Sequence, residues 1–125
     1  LYRAQARSMR RNGWHIQRDG AVLTHARHLP ARFDLSAVAR FPQLRRGRLA
    51  QQIRQDMWRR FQDLRGFSPA VEVTRDVEGL IVRAGGRISG RANTQHLCAE
   101  LEAMLHQPDL RARWMRSARI DEVAK

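Results

Sequence analysis

Lysine is all but missing from this chain. Lysine and arginine together number 24 among 125 residues, and every one except Lys125 is arginine. Acids are scarce too: 12 aspartates and glutamates leave a formal net charge of +12. A GC-rich genome, such as that of a bacterium or its phage, accounts for arginine replacing lysine. It does not account for the excess of base over acid. The single cysteine, Cys98, excludes an internal disulfide framework and fits a reducing, cytoplasmic setting; its expected role is that of a small buried apolar residue. No apolar run approaches the ~20 residues a membrane-crossing helix needs. The opening Leu1–Arg7 is basic and has no apolar stretch of signal-peptide type.

Motifs for chemistry are also lacking. Ser8, Ser36, Ser68, Ser89 and Ser117 stand in no nucleophile-elbow pattern, and the acids are scattered, so no enzyme is expected. His25-x-x-His28 and His96-x-Cys98 match no standard zinc spacing, so no metal and no cofactor are expected. The glycine-rich run Arg83–Arg91 has no Walker lysine and reads as a strand end and loop.

What is present is a chain of one-domain length, read as residues 1–125 with a peripheral basic helix within 1–12. Two hairpins stand out. In the first, Trp14–Arg18 and Ala21–His25 flank Asp19-Gly20, a dipeptide suited to a type I′ turn. A two-residue loop there pairs Ile16 with Leu23 and Trp14 with His25. In the second, Val71–Arg75 and Leu80–Ala84 flank Asp76–Gly79. This pairs Val73 with Val82 and sets Glu72 opposite Arg83, with Gly85-Gly86 ending or kinking the last strand. Helices are expected over Leu35–Arg40 (capped by Asp34 and interrupted by Pro42), Arg46–Arg65, Thr94–His106 (capped by Asn93) and Pro108–Ile120. Gly20 precedes Asp34 by as many residues as Gly79 precedes Asn93, which hints at an internal repeat. The expected fold class is therefore α+β: two antiparallel hairpins, forming one four-stranded sheet in a ββα-ββα pseudo-repeat, with helices packed on one face.

Charge and spacing then point to candidate surfaces. Leu49, Ile53, Met57, Phe61 and Leu64 make a core stripe on the main helix. The opposite stripe, Arg48, Gln52, Gln55, Arg59 and Gln62, is long, polar and free of acid. Such faces are commonly just solvated, but Arg and Gln also make bidentate contacts with base edges. Arg111, Arg113, Arg116 and Arg119 crowd the last helix and repel one another, a cost that a polyanion would relieve. Arg45, Arg46 and Arg48 open the main helix, where positive charge opposes the helix dipole. Arg3, Arg7, Arg10, Arg11 and Arg18 form a further cluster. The open sheet face, with His15, Gln17, Thr24, Glu72, Thr74 and Arg83, has no aromatic on which bases could stack.

These patterns lead to the expectation of a small protein that binds DNA or RNA through arginine–phosphate contacts. The expected contacts are Arg45, Arg46, Arg48, Gln52, Gln55, Arg59, Arg111, Arg113, Arg116 and Arg119. The alternative is an adaptor or assembly subunit that docks its basic surface on an acidic protein partner. Membrane attachment is disfavoured because no helix offers the broad exposed apolar face it needs.

Overall fold

The structure is a computed structural model and describes residues 7–90 and 93–120. The class is α+β, with one six-stranded antiparallel sheet and three helices. The strands are β1 (Arg7–Arg11), β2 (Trp14–Asp19), β3 (Val22–Ala26), β4 (Leu35–Phe41), β5 (Phe67–Asp76) and β6 (Gly79–Ile88). The helices are α1 (Arg46–Phe61), α2 (Thr94–Leu105) and α3 (Pro108–Ala118). The sheet order is β1-β2-β3-β5-β6-β4.

Both expected hairpins are present. β5–β6 has the expected register, with Val73 opposite Val82 and Glu72 opposite Arg83. β2–β3 is shifted by two residues: Ile16 faces His25, Arg18 faces Leu23, and Asp19 faces Val22. Gly20, with φ 60°, opens the turn instead of closing it. Because strand side chains alternate with period two, a slip of two leaves every side chain on its expected face. Ile16 and Leu23 are buried as foreseen, and Gln17, Thr24, Glu72 and Arg83 line up across the open face.

Two segments expected to be helical are strands. Residues 7–11 form β1, paired with β2 through a turn at Asn12-Gly13 in which both residues have positive φ (54° and 79°). Asn-Gly is the favoured pair for such a turn; the part of the expected helix before residue 7 lies outside the described residues. Leu35–Phe41 is β4, hydrogen-bonded along β6. Its inward side chains are Leu35, Ala37, Ala39 and Phe41, with Ser36, Val38 and Arg40 between them. That alternation has period two, and seven residues are too few for capping signals to outweigh it. Asp34 caps no helix. Its carboxylate accepts from the Ile88 N–H at 3.0 Å and pairs with Arg32. These two contacts, the backbone one foremost, hold its pKa below the ordinary carboxylate value. The ββα-ββα repeat fails at this point, since a strand stands where the repeat calls for a helix.

The remaining helices match their signals. The Asn93 side chain accepts from the His96 N–H, and Pro108 lies in the first turn of α3. α1 stops at Phe61, short of Arg65. All three helices lie on one side of the sheet. α1 packs over β3 and β5, α2 over β4 and β6, and α3 against α1. Leu49, Ile53, Met57 and Phe61 are buried against Leu23, Val71, Val73 and Val82, and Leu64 packs at the margin. Gly85-Gly86 does not end β6, which continues to Ile88.

Candidate functional site

The layering leaves part of the sheet bare on its helical side. β1 and β2 extend beyond α1, which sits over β3 and β5. Between the flank of α1 and these two strands runs a cleft in two linked parts. The first, ≈ 240 Å³, is lined by Arg11, Arg18, His25, Gly47, Arg48 and Arg54 among others. The second, ≈ 290 Å³, is lined by Asn12, Trp14, Gln55, Trp58 and Arg59. Gln51 and Arg54 line both parts, so the two adjoin. Among the described residues, no carboxylate lines either part.

The register explains the concentration of charge. Arg11 pairs with Trp14, Met9 with Ile16, and Arg18 with Leu23, so Arg11 and Arg18 share the face that looks toward α1. From the helix, Gln51, Arg54, Gln55 and Trp58 recur at three- and four-residue spacing and share one flank. Guanidiniums from a strand edge and a helix flank therefore converge on the same space.

Arg54 is the centre of this arrangement. It is only 4% exposed, and Nη1 lies 2.8 Å from Nδ1 of His25, itself 3% exposed. A charge buried this deeply ordinarily has a carboxylate partner. Here the partner is an imidazole that must accept the hydrogen bond and so stay neutral. The field agrees. Burial first, then Arg54 and Arg18, push the His25 pKa down to about 3. Burial, then Arg11 and Arg27, lower that of Arg54. The site thus gathers several guanidiniums with no carboxylate among its described lining residues.

The folded pKa of His25 lies below its ordinary value of 6.5. The stability contributed by neutral His25 is therefore complete above pH 6.5 and is lost as pH falls toward 3. Between pH 7 and pH 5 the loss is about 2 kcal/mol. Denaturant melts at the two pH values should show it, and His25→Gln, which keeps an acceptor for Arg54, should remove most of the difference.

A second cluster abuts Arg54. The Arg27 guanidinium lies 5.7 Å from the Trp14 ring centroid and 5.2 Å from that of Trp58, and the Arg54 guanidinium lies 5.0 Å from Trp14. Arg27 also donates to the Gly13 carbonyl at 2.9 Å, which ties the β1–β2 turn to this stack. Trp14 is buried, but Trp58 remains 44% exposed.

The expected contact residues are dispersed. Arg48, Gln55 and Arg59 line the cleft, while Gln52 and Gln62 do not. Arg45 donates to the Ser117 carbonyl and Arg48 Nε to the Ser117 hydroxyl, both at 2.9 Å. The charge that opposes the α1 dipole therefore serves the C-terminal end of α3. Arg46 donates to the Gly20 carbonyl at 3.1 Å and steadies the β2–β3 turn. Arg111 donates to the carbonyls of Leu105 and Arg40 and lies 4.0 Å from the Phe41 ring centroid. Arg113 pairs with Asp56. Arg116 and Arg119 are exposed, away from the cleft linings.

Sequence reasoning missed Arg54, Gln51, Trp58 and Asn12. The signal for Arg54 was its place at the edge of the apolar arc of α1, beside Ala50, Met57 and Phe61. A charged residue there must find a polar partner or a cleft. Asn12 was marked by the Asn-Gly dipeptide. Comparison with family models, curated proteins and solved structures finds no match to this chain. Among the described residues no helix is long and apolar enough to cross a membrane.

Proposed function

We propose that this protein binds nucleic acid, DNA or RNA, by seating backbone phosphates in the cleft between α1 and β1–β2. The observation that carries the reading is Arg54, a buried guanidinium with a neutral histidine for a partner, in a cleft walled by Arg11, Arg18 and Arg48 and with no carboxylate among its described lining residues. Phosphate oxygens answer each feature. They accept two hydrogen bonds from a guanidinium fork, supply the missing negative charge, and relieve the repulsion among the arginines. The +12 net charge adds long-range attraction for any polyanion. This reading assigns no catalytic step.

The test is affinity for oligonucleotides across a salt series. Neutralising about five phosphates gives a log–log slope near −4 to −5 on duplex DNA, shallower on a single strand. Arg11→Gln, Arg18→Gln and Arg48→Gln together remove three exposed cleft charges. They should flatten the slope by about two to three and weaken binding about a hundredfold. Arg116→Gln with Arg119→Gln, outside the cleft, should have a much smaller effect. Loss of affinity with the second pair rather than the first would move the site to α3. No binding at low salt would reject nucleic acid and favour the acidic protein partner.

A further inference from the structure

We propose that the ligand is a single strand and that one unpaired base stacks on Trp58 in the second part of the cleft. This rests on the phosphate reading above and deepens it.

Three observations lead here. First, Trp58 is 44% exposed, while Trp14 and Trp114 are buried at 7% and 0%. The Arg27 guanidinium packs against it, 5.2 Å from the ring centroid, and Arg27 is itself anchored to the Gly13 carbonyl. A large aromatic packed on one side and left accessible offers a stacking surface.

Second, the cleft that Trp58 lines also carries the side-chain amides of Asn12, Gln51 and Gln55. Each presents both a donor and an acceptor, the pairing that a base edge needs. Among the described residues none of the three donates to or accepts from a carboxylate, and Gln51 accepts from Arg48 at 3.3 Å.

Third, this part of the cleft joins the arginine-rich part at Gln51 and Arg54. A base on Trp58 would therefore have its own phosphate beside the exposed guanidiniums of the first part, Arg11, Arg18 and Arg48. Single-stranded ligands are held by such a pairing of stacking platform and basic track. A duplex keeps its base faces stacked inside and offers an aromatic side chain none of them. The open sheet face is less suited to this role: its strand residues, Gln17, Thr24, Glu72 and Arg83 among them, include no aromatic, and the neighbouring Phe33 ring is already covered by the Arg83 guanidinium, 4.3 Å from its centroid.

The test compares three ligands at one salt concentration: a thymidine homopolymer, a duplex of the same length, and inorganic polyphosphate of matched charge. Binding is read by Kd and by tryptophan fluorescence. The expected results are tightest binding to the single strand and quenching that Trp58→Ala abolishes. Trp58→Ala should weaken the single strand about tenfold and leave polyphosphate affinity nearly unchanged, and Trp58→Phe should restore most of the loss. Trp58 is a surface residue, so a circular dichroism spectrum like that of the parent is expected for both variants.

Equal affinity for strand and duplex with a silent Trp58→Ala would overturn the base site and leave the phosphate cleft standing. Polyphosphate binding as tight as the strand, and equally sensitive to Trp58→Ala, would also overturn it. No binding of any of the three at low salt would overturn both readings.

Discussion

Asp56→Ala is expected to lower the unfolding free energy by about 3 kcal/mol. Asp56 projects from α1 toward α3 and is 10% exposed at its side chain. One carboxylate oxygen accepts from the Trp114 indole N–H at 2.6 Å and from Arg113 at 2.7 Å; the other accepts from Arg59 at 2.9 Å. Trp114 is fully buried, so without the acid its N–H keeps its desolvation cost and loses its partner. Arg113 is partly exposed and can turn to water, which limits its share. In a domain of this size the change corresponds to about 12 °C in Tm. Arg59→Ala removes only the exposed arm of the same cluster and should cost under about 0.5 kcal/mol. Asp56→Asn, which keeps an acceptor for Trp114, should fall between the two. Thermal melts of the three variants check the ordering; equal losses for Asp56→Ala and Arg59→Ala would contradict it.

Gly86→Ala is expected to cost a similar amount, about 3 kcal/mol or more. Gly86 has φ 150°, a region that L side chains rarely adopt. A Cβ there would also run into the Ser68 carbonyl oxygen and the Pro69 Cα of β5. Both obstacles are backbone, so no rotamer change relieves them. Gly20→Ala makes the contrast: φ is 60°, yet nothing lies within 4 Å of the added carbon. Only the left-handed backbone is then at issue, at about 1 kcal/mol. Urea titrations should separate the two by their midpoints.

These residues show how much was legible. Gly85-Gly86 reads in the sequence as the end of a strand or a kink in it, because glycine weakens strands. In the structure the pair permits close approach of β4 and β5, and β6 runs on to Ile88. The reading of Leu35–Arg40 as a helix erred for a related reason. A capping residue followed by seven residues of mixed polarity fits a short helix or a strand, and β6's free edge selected the strand. Residues 7–11 contain one apolar side chain, Met9, so neither periodicity is visible there. The Asn12-Gly13 turn carries the information instead.

The candidate site was legible in its chemistry and not in its location. Excess arginine pointed to an anion. Yet most of the arginines expected as contacts are engaged within the molecule: Arg45 and Arg48 at Ser117, Arg46 at Gly20, Arg111 at Arg40 and Leu105, Arg59 and Arg113 at Asp56. The most telling guanidinium, Arg54, is not among them.

By itself, the sequence determined what depends on near neighbours along the chain. It sufficed for the two hairpins and the faces of their strands, since period-two alternation survives a two-residue slip. It sufficed for the core stripe of α1 and for the starts of α2 and α3, since helix periodicity and caps act over four residues or fewer. It also determined the net charge, a sum that no arrangement changes. Only the tertiary structure decided which charges are free to bind. Arg45 meets Ser117 across 72 positions, and Arg54 meets His25 across 29. Hydrogen bonds act over about 3 Å, so whether a guanidinium is spent on a carbonyl or left facing a cleft depends on contacts that exist only once the helices lie on the sheet.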